Sequence, residues 1–340
     1  MPTWGAILQE INVVGQQLAQ IGAPISPFDI VRRKYLQQLS AKTGRPTILY
    51  AAAWTTRLVA DVSPELIQIT NEDTHALMET VHGLPGSSLD LIIHSPGGSP
   101  AAAEAIVTYL RTRYRDVRVI VPHMAMSAAT MLACSANRIV MGKHSFLGPI
   151  DPQMIMQTAT GIRAVPAQAI IAQFEKAREE CNDPAKLRAW LPMLNQYGPD
   201  LLVTCKNVSE LSQALVRTWL KEYMFDGHAD GEAKATEIAS WLAGHDNHLS
   251  HGRPLARDVL KAHGLIIDDL EADQEEQDLV LSVFHAVSHC FSATPVVKIT
   301  ENNIGKAFVK FAQPGVQLQP VPRPQDPPPP TPGPIGPGPA

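Results

Sequence analysis

Apolar residues fall along this chain in two rhythms. Near the N-terminus Ile7, Ile11, Val14 and Leu18 recur every three or four positions, which predicts an amphipathic helix with Gln and Glu on its other face. Such a helix suits docking onto a partner or a second subunit. A membrane surface would call for Lys and Arg on the polar face. From residue 47 the rhythm changes. Short unbroken apolar runs at 47–54, 89–95, 117–122 and 138–142 predict buried strands. Between them 71–84, 99–114 and 127–136 carry helical patterns, the first with Asn71 placed to cap it. Strands alternating with covering helices predict right-handed crossovers and a mostly parallel sheet, an α/β fold. From 166 to 292 the pattern is mainly helical, and no internal repeat is visible.

Proline sets the clearest boundary. From Pro314 to Ala340 there are twelve prolines in 27 residues, so the segment builds neither helix nor ladder and is expected to be an extended, disordered tail. It serves either as a spacer or as a ligand for a partner that recognises Pro-rich motifs in an aromatic-lined groove.

Composition narrows the classes. In 340 residues, 45% hydrophobic and 18% charged, there is apolar material for a real core. The formal charge of −5 argues against a general nucleic-acid binder. Cys134, Cys181, Cys205 and Cys290 lie far apart, which excludes a zinc ribbon or a paired redox motif and suits reduced thiols in a cytoplasmic protein. No apolar run approaches the roughly 18 residues of a membrane span, and the N-terminus lacks the basic region that opens a secretory signal. The expected location is cytoplasmic.

In open α/β sheets, sites lie where strands end and loops lead into helices. Two such junctions are unusual here. In "HSPGGSPAAAEA" the strand meets Gly97 and Gly98, which let backbone N–H groups approach a ligand closely. Alone this suits a phosphate turn, a plain tight turn or an oxyanion hole. In "VIVPHMAMSAATMLACSA" Ser127 opens a helix with only Ala128 and Ala129 beside it. It is an N-cap or an accessible hydroxyl backed by helix N–H groups.

Taken together, 29 residues apart on neighbouring crossovers, the two junctions resemble the Clp protease proteolytic subunit and crotonase superfamily. The string "PHMAMSAATMLACSANRIVMGKHSFLGPIDPQ" is most similar to the serine dehydrogenase proteinase family, related to the soluble domain of signal peptide peptidase A. The likeness runs from Arg32 to Gln153 and returns at 248–265. It implies a spiral of stacked β-β-α units, with Ser127 as nucleophile, the N–H groups of Gly98 and Ala128 as oxyanion hole, and Gly97 and Met126 in the substrate loop. The residue patterns and the likeness together divide the chain into N-terminal docking or oligomer helices over 1–45, a catalytic core over 46–165, a mainly helical part over 166–312 that completes the core and subunit interface, and the proline-rich tail, which the likeness does not cover, over 313–340. Homo-oligomers are usual in the superfamily.

For the base, the resemblance puts Pro149 near the position of the Clp histidine, with His144 five residues earlier. Signal peptide peptidases use a lysine, and Lys176 follows Ser127 by a comparable 49 residues, so a Ser-Lys pairing ranks first and His144 second. Asp151 either orients a base or closes a turn before Pro152. His245, His248 and His251 recur every three residues, a zinc spacing if helical, but the surrounding Gly, Asn and Pro predict a loop. His251 lending a hydrogen bond to the site is a further reading. His285 and His289 share one helix face and read as packing. The function expected is an ATP-independent serine endopeptidase acting on peptides or proteins without metal or cofactor. The rivals are an inactive crotonase-fold scaffold that recruits partners through its tail, and an acyl-CoA enzyme of crotonase type.

Overall fold

The structure, a computed structural model, describes residues 3–56, 62–158 and 161–312. The proline-rich tail from 313 lies outside the described residues. Helix α1 (Trp4–Gln20) starts where the Thr3 hydroxyl accepts the Ala6 N–H, and buries Ile7 and Ile11 against Val31 and Ala286. Helix α2 (Pro27–Thr43) opens on a proline and closes at the left-handed Gly44. The chain then enters its alternating core: β1 (Thr47–Ala52), α3 (Pro64–Ile67), α4 (Glu72–Val81), β2 (Ser88–His94), α5 (Pro100–Arg113) and β3 (Asp116–Val121). There follow β4 (Met124–Ala125), α6 (Ala128–Cys134), β5 (Arg138–Met141) and β6 (Phe146–Leu147). Asn71 does not cap α4. It is already helical, and the Asp73 carboxylate accepts the Thr70 N–H at 2.8 Å instead.

The hairpin β7 (Gln153–Thr158) and β8 (Gly161–Pro166) departs from the core, followed by α7 (Ala167–Glu180), α8 (Pro184–Leu194) and α9 (Leu201–Trp219). After one π turn come α10 (Gly231–Ala243), α11 (His245–His248), β9 (Leu255–Ala256), α12 (Arg257–Ala262) and β10 (Ile267–Asp269). The described residues close with α13 (Gln274–Ala293), β11 (Val296–Asn302) and β12 (Ala307–Phe311).

Seven strands form one sheet in the order β10-β5-β3-β2-β1-β11-β12. The first five run parallel, β11 runs against them, and β12 pairs antiparallel with β11 and so returns to their direction. Both faces are covered, which explains why the strands read as unbroken apolar runs. In β1, Ile48 and Tyr50 face one core, shared with Ile106 and Met131, while Leu49 and Ala51 face the other, shared with Leu36 and Val287. Neither the hairpin nor the two closing strands is announced by the hydrophobic pattern. The hairpin packs Met154, Met156 and Val165 on Ala167, Ile170 and Cys205, a small core of its own beside the carboxyl ends of β2 and β3.

Candidate active site

The loops after β2 and β3 lie directly against each other. The Ser95 N–H donates to Met124 O at 3.1 Å, and the Met126 N–H returns to Ser95 O at 3.0 Å. Gly97 has φ +94°, and a Cβ there would fall 2.4 Å from Met126 O, 2.8 Å from Ser127 Cβ and 2.9 Å from Ala128 N. Only glycine permits that approach. Gly98 pairs with Ile69, whose N–H reaches Gly97 O at 2.7 Å while the Ser99 N–H reaches Ile69 O at 3.0 Å. In such a parallel pairing the middle residue turns its own N–H to the opposite side. The Gly98 N–H therefore faces away from Ile69, and Gly98 lines the same cavity as Ser127.

The strand segment that holds Gly98 is itself anchored. Lys298, 1% exposed, donates to Gln68 O at 2.6 Å and to both Asp73 oxygens at 3.0 Å, and Tyr50 OH adds a bond to Asp73 at 3.0 Å. Burial pushes the Lys298 ammonium below its ordinary pKa, with the Asp73 charge opposing the shift.

Ser127 stands at the mouth of α6 with φ +51° and ψ −118°. It makes no side-chain cap bond, so the N-cap reading of this serine does not hold. A non-glycine residue in that conformation costs on the order of 1–3 kcal/mol and persists only where its surroundings enforce it. Thr130 does so here: its hydroxyl donates to Ala125 O at 2.8 Å and accepts the Gly148 N–H at 2.9 Å. The turn lifts the Ser127 side chain into a cavity of about 400 Å³ bounded by α6, α9 and the hairpin. Ala128, the first helical residue, has no carbonyl one turn earlier to receive its N–H.

Across that cavity stands His251. Its Nδ1 lies 2.8 Å from Asp151 Oδ1, and His245 Nδ1 lies 3.0 Å from Oδ2 of the same carboxylate. Asp151 is 1% exposed, and Gln153 Nε2 also approaches its Oδ2 at 3.3 Å. Because a carboxylate only accepts, Nδ1 of His251 carries the proton, which leaves Nε2 as the basic nitrogen. Among the described residues no hydrogen bond joins Ser127 to His251. The two residues line the same cavity.

The remaining candidates lie elsewhere. Lys176 is on an exposed face of α7 and does not line the cavity. His144 is exposed, its ring packed over Gly142, close to His123 and His285. His248 turns the other way, with Nε2 2.8 Å from Trp241 O, so the three evenly spaced histidines do not converge. Among the described residues no group of three His, Cys, Asp or Glu is arranged to hold a metal ion.

Residues 31–281 match the family of ClpP-like SDH-type serine proteinases. The chain belongs to that family. Two uncharacterized proteins of Methanocaldococcus jannaschii are similar to this chain, one 30% identical over 202 residues and one 28% identical over 203. The match covers 59% of this chain and spans about 60% of the length of those relatives. Among solved structures, a point mutant of the 1510-N membrane-bound stomatin-specific protease matches with a TM-score of 0.35 and 14% identity, over 62% of this chain and 77% of that one.

His289 packs against Trp4, the rings tilted by 43° with centroids 3.9 Å apart, and reaches the Trp4 carbonyl at 3.0 Å, tying α13 to α1. All four cysteines are free, and burial pushes the Cys134 thiol up to about 12. Among the described residues no helix is long and apolar enough to cross a membrane.

Proposed function

We propose that this chain is a serine endopeptidase that cleaves peptide bonds through an acyl-enzyme on Ser127, with His251 as general base and Asp151 as its orienting carboxylate. One observation carries the reading: a serine held in a strained turn and a histidine held by a buried carboxylate line one cavity, beside a glycine whose N–H faces inward. His251 Nε2 takes the hydroxyl proton as Ser127 Oγ attacks the carbonyl carbon. The negative charge that develops on the carbonyl oxygen falls to the N–H groups of Gly98 and Ala128. The imidazolium then protonates the leaving amine, and water enters by the same route to release the acid product. Substrate brings hydroxyl and imidazole together, as catalytic hydrogen bonds often tighten only in the complex. Peptide hydrolysis is downhill, so no nucleotide is required.

Lys176 and His144 fit the role of base less well, since neither lines the cavity. The acyl-CoA alternative lacks support of its own, because no Lys or Arg is among the residues lining that cavity to meet a nucleotide phosphate. A small fluorophosphonate probe tests the reading. Labelling of the folded protein that disappears in Ser127→Ala is the expected result. A folded wild-type protein that takes no label overturns it and leaves the scaffold reading in its place.

A further inference from the structure

We infer that Ser212 forms the floor of the pocket that receives the substrate side chain preceding the scissile bond, and that this pocket selects an uncharged side chain with a hydrogen-bonding end, glutamine foremost. The inference rests on the peptidase reading of Ser127.

Ser212 lies on the inward face of α9 with Cys205, Val216 and Trp219, and is 0% exposed. Its Oγ has no hydrogen-bond partner among the described residues, yet Ser212 lines the cavity into which Ser127 points. The position is unusual for a helical serine. Ser209, on the same helix, returns its hydroxyl to Cys205 O at 2.9 Å, the ordinary way such a group is satisfied. Ser212 makes no matching bond to Val208. A buried hydroxyl left unpaired is costly, and a simple packing position would be better filled by alanine.

Most of the side chains that line this cavity are apolar, with Gln68 and Gln153 the uncharged polar exceptions besides the two serines. Met131 lies one turn beyond Ser127 on the same side of α6, and Ile150, Met154 and Val208 complete the passage. A side chain carried on the acyl carbon at Ser127 would run along these methylene and thioether surfaces and end at the Ser212 hydroxyl. Lys, Arg, Asp and Glu would arrive without a counter-ion, because the titratable group among the lining residues is His251, already committed to Asp151. Leucine would suit the walls and leave the hydroxyl unpaired. A carboxamide both donates to and accepts from a hydroxyl, and glutamine has three apolar carbon–carbon bonds with which to reach it. A site built around a hydrogen bond discriminates against analogues that lack it.

The experiment uses the full chain and four peptides identical except at the residue preceding the cleaved bond: glutamine, norleucine, lysine or glutamate. Wild type is expected to favour glutamine over norleucine by about tenfold in kcat/KM, with lysine and glutamate below both. Ser212→Ala should lose about tenfold on the glutamine peptide and nothing on norleucine, so the preference collapses while turnover persists. A glutamine-to-norleucine ratio unchanged by Ser212→Ala, or a wild type that prefers lysine or glutamate, overturns the assignment. Fluorophosphonate carries no such side chain, so labelling of Ser127 in both proteins keeps the peptidase reading standing even when the specificity fails. Wild type without label removes both.

Discussion

The candidate site has two halves that are built in different ways. The nucleophile half (Gly97, Gly98, Ser127 and Ala128) comes from two adjoining strand-to-helix junctions and is fixed by backbone: φ values only glycine tolerates, a serine at φ +51°, and main-chain bonds between the loops. The acid–base half joins Asp151 to His251 across 100 residues and is fixed by side chains, with a buried carboxylate receiving two imidazoles. The first half follows from the topology of the sheet. The second depends on α10 and α11 bringing a late turn back over the loop ahead of the hairpin, where the Ile150 N–H bonds to Leu242 O at 3.0 Å. A fold can therefore keep the nucleophile junctions and rebuild the base independently.

The sharpest way to break this division is to remove the base. His251→Gln should lower kcat by about 10³–10⁴-fold and slow fluorophosphonate labelling of Ser127 with it, while the fold is retained. Lys176→Met and His144→Gln should each stay within about twofold of wild type, since both side chains stand outside the cavity. Steady-state kinetics on one peptide substrate checks all three. If Lys176→Met is the variant that loses activity, the acid–base half has been assigned to the wrong side of the cavity.

What the sequence discloses follows the same division. The strands from 47 to 142, the crossovers and the two loop–helix junctions are legible because each is written in contiguous residues. The hairpin β7–β8 is not, because its apolar face, Met154, Met156 and Val165, packs on α7 and α9 rather than on the sheet. The late histidines mislead by their even spacing. Leu249 at φ +63° breaks the turn after α11, so His251 comes round to Asp151 while His248 points to Trp241. Lys298 leaves one faint trace, a lone lysine in an apolar strand, and nothing in the chain's order says that Asp73 lies against it. Ser212 leaves none, as a serine on a helix is ordinary until its surroundings are known.

The nucleophile half is tested by closing the gap that glycine leaves. In Gly97→Ala the new methyl would meet Met126 O, Ser127 Cβ and Ala128 N, all within 2.9 Å and belonging to the Ser127 turn, so that turn must shift. A displacement of about 1 Å at a reacting atom typically costs on the order of 10²-fold in rate. The expected result is a kcat about 10²-fold lower with a small fall in melting temperature. Activity within twofold of wild type would show that the two loops move apart without consequence, and the claim that backbone fixes this half would fail.

The last effect belongs to the support behind that half and is one of stability, absent at neutral pH. His94 ends β2, just ahead of the Ser95–Gly98 loop, with Nδ1 donating to Met124 O at 3.2 Å and Nε2 facing the Thr55 hydroxyl at 3.3 Å. Burial first, and the neighbouring His123 second, push its pKa down to about 3. The folded protein thus keeps this imidazole neutral where the unfolded chain, with its ordinary pKa near 6.5, takes up a proton. Stability is fully present above pH 6.5 and is lost as the pH falls from there toward 3, at up to about 1.4 kcal/mol per pH unit for this one group. His285, held near 4 by burial and by His289, adds a second contribution over the upper part of the same window. Urea midpoints at pH 7.5, 6, 5 and 4 should decline in wild type and decline less steeply in His94→Asn, whose side-chain amide stands where Nδ1 stood and is placed to donate to Met124 O. Equal slopes in the two proteins would mean that the junction carries no buried titration, and that acid sensitivity arises away from the nucleophile half.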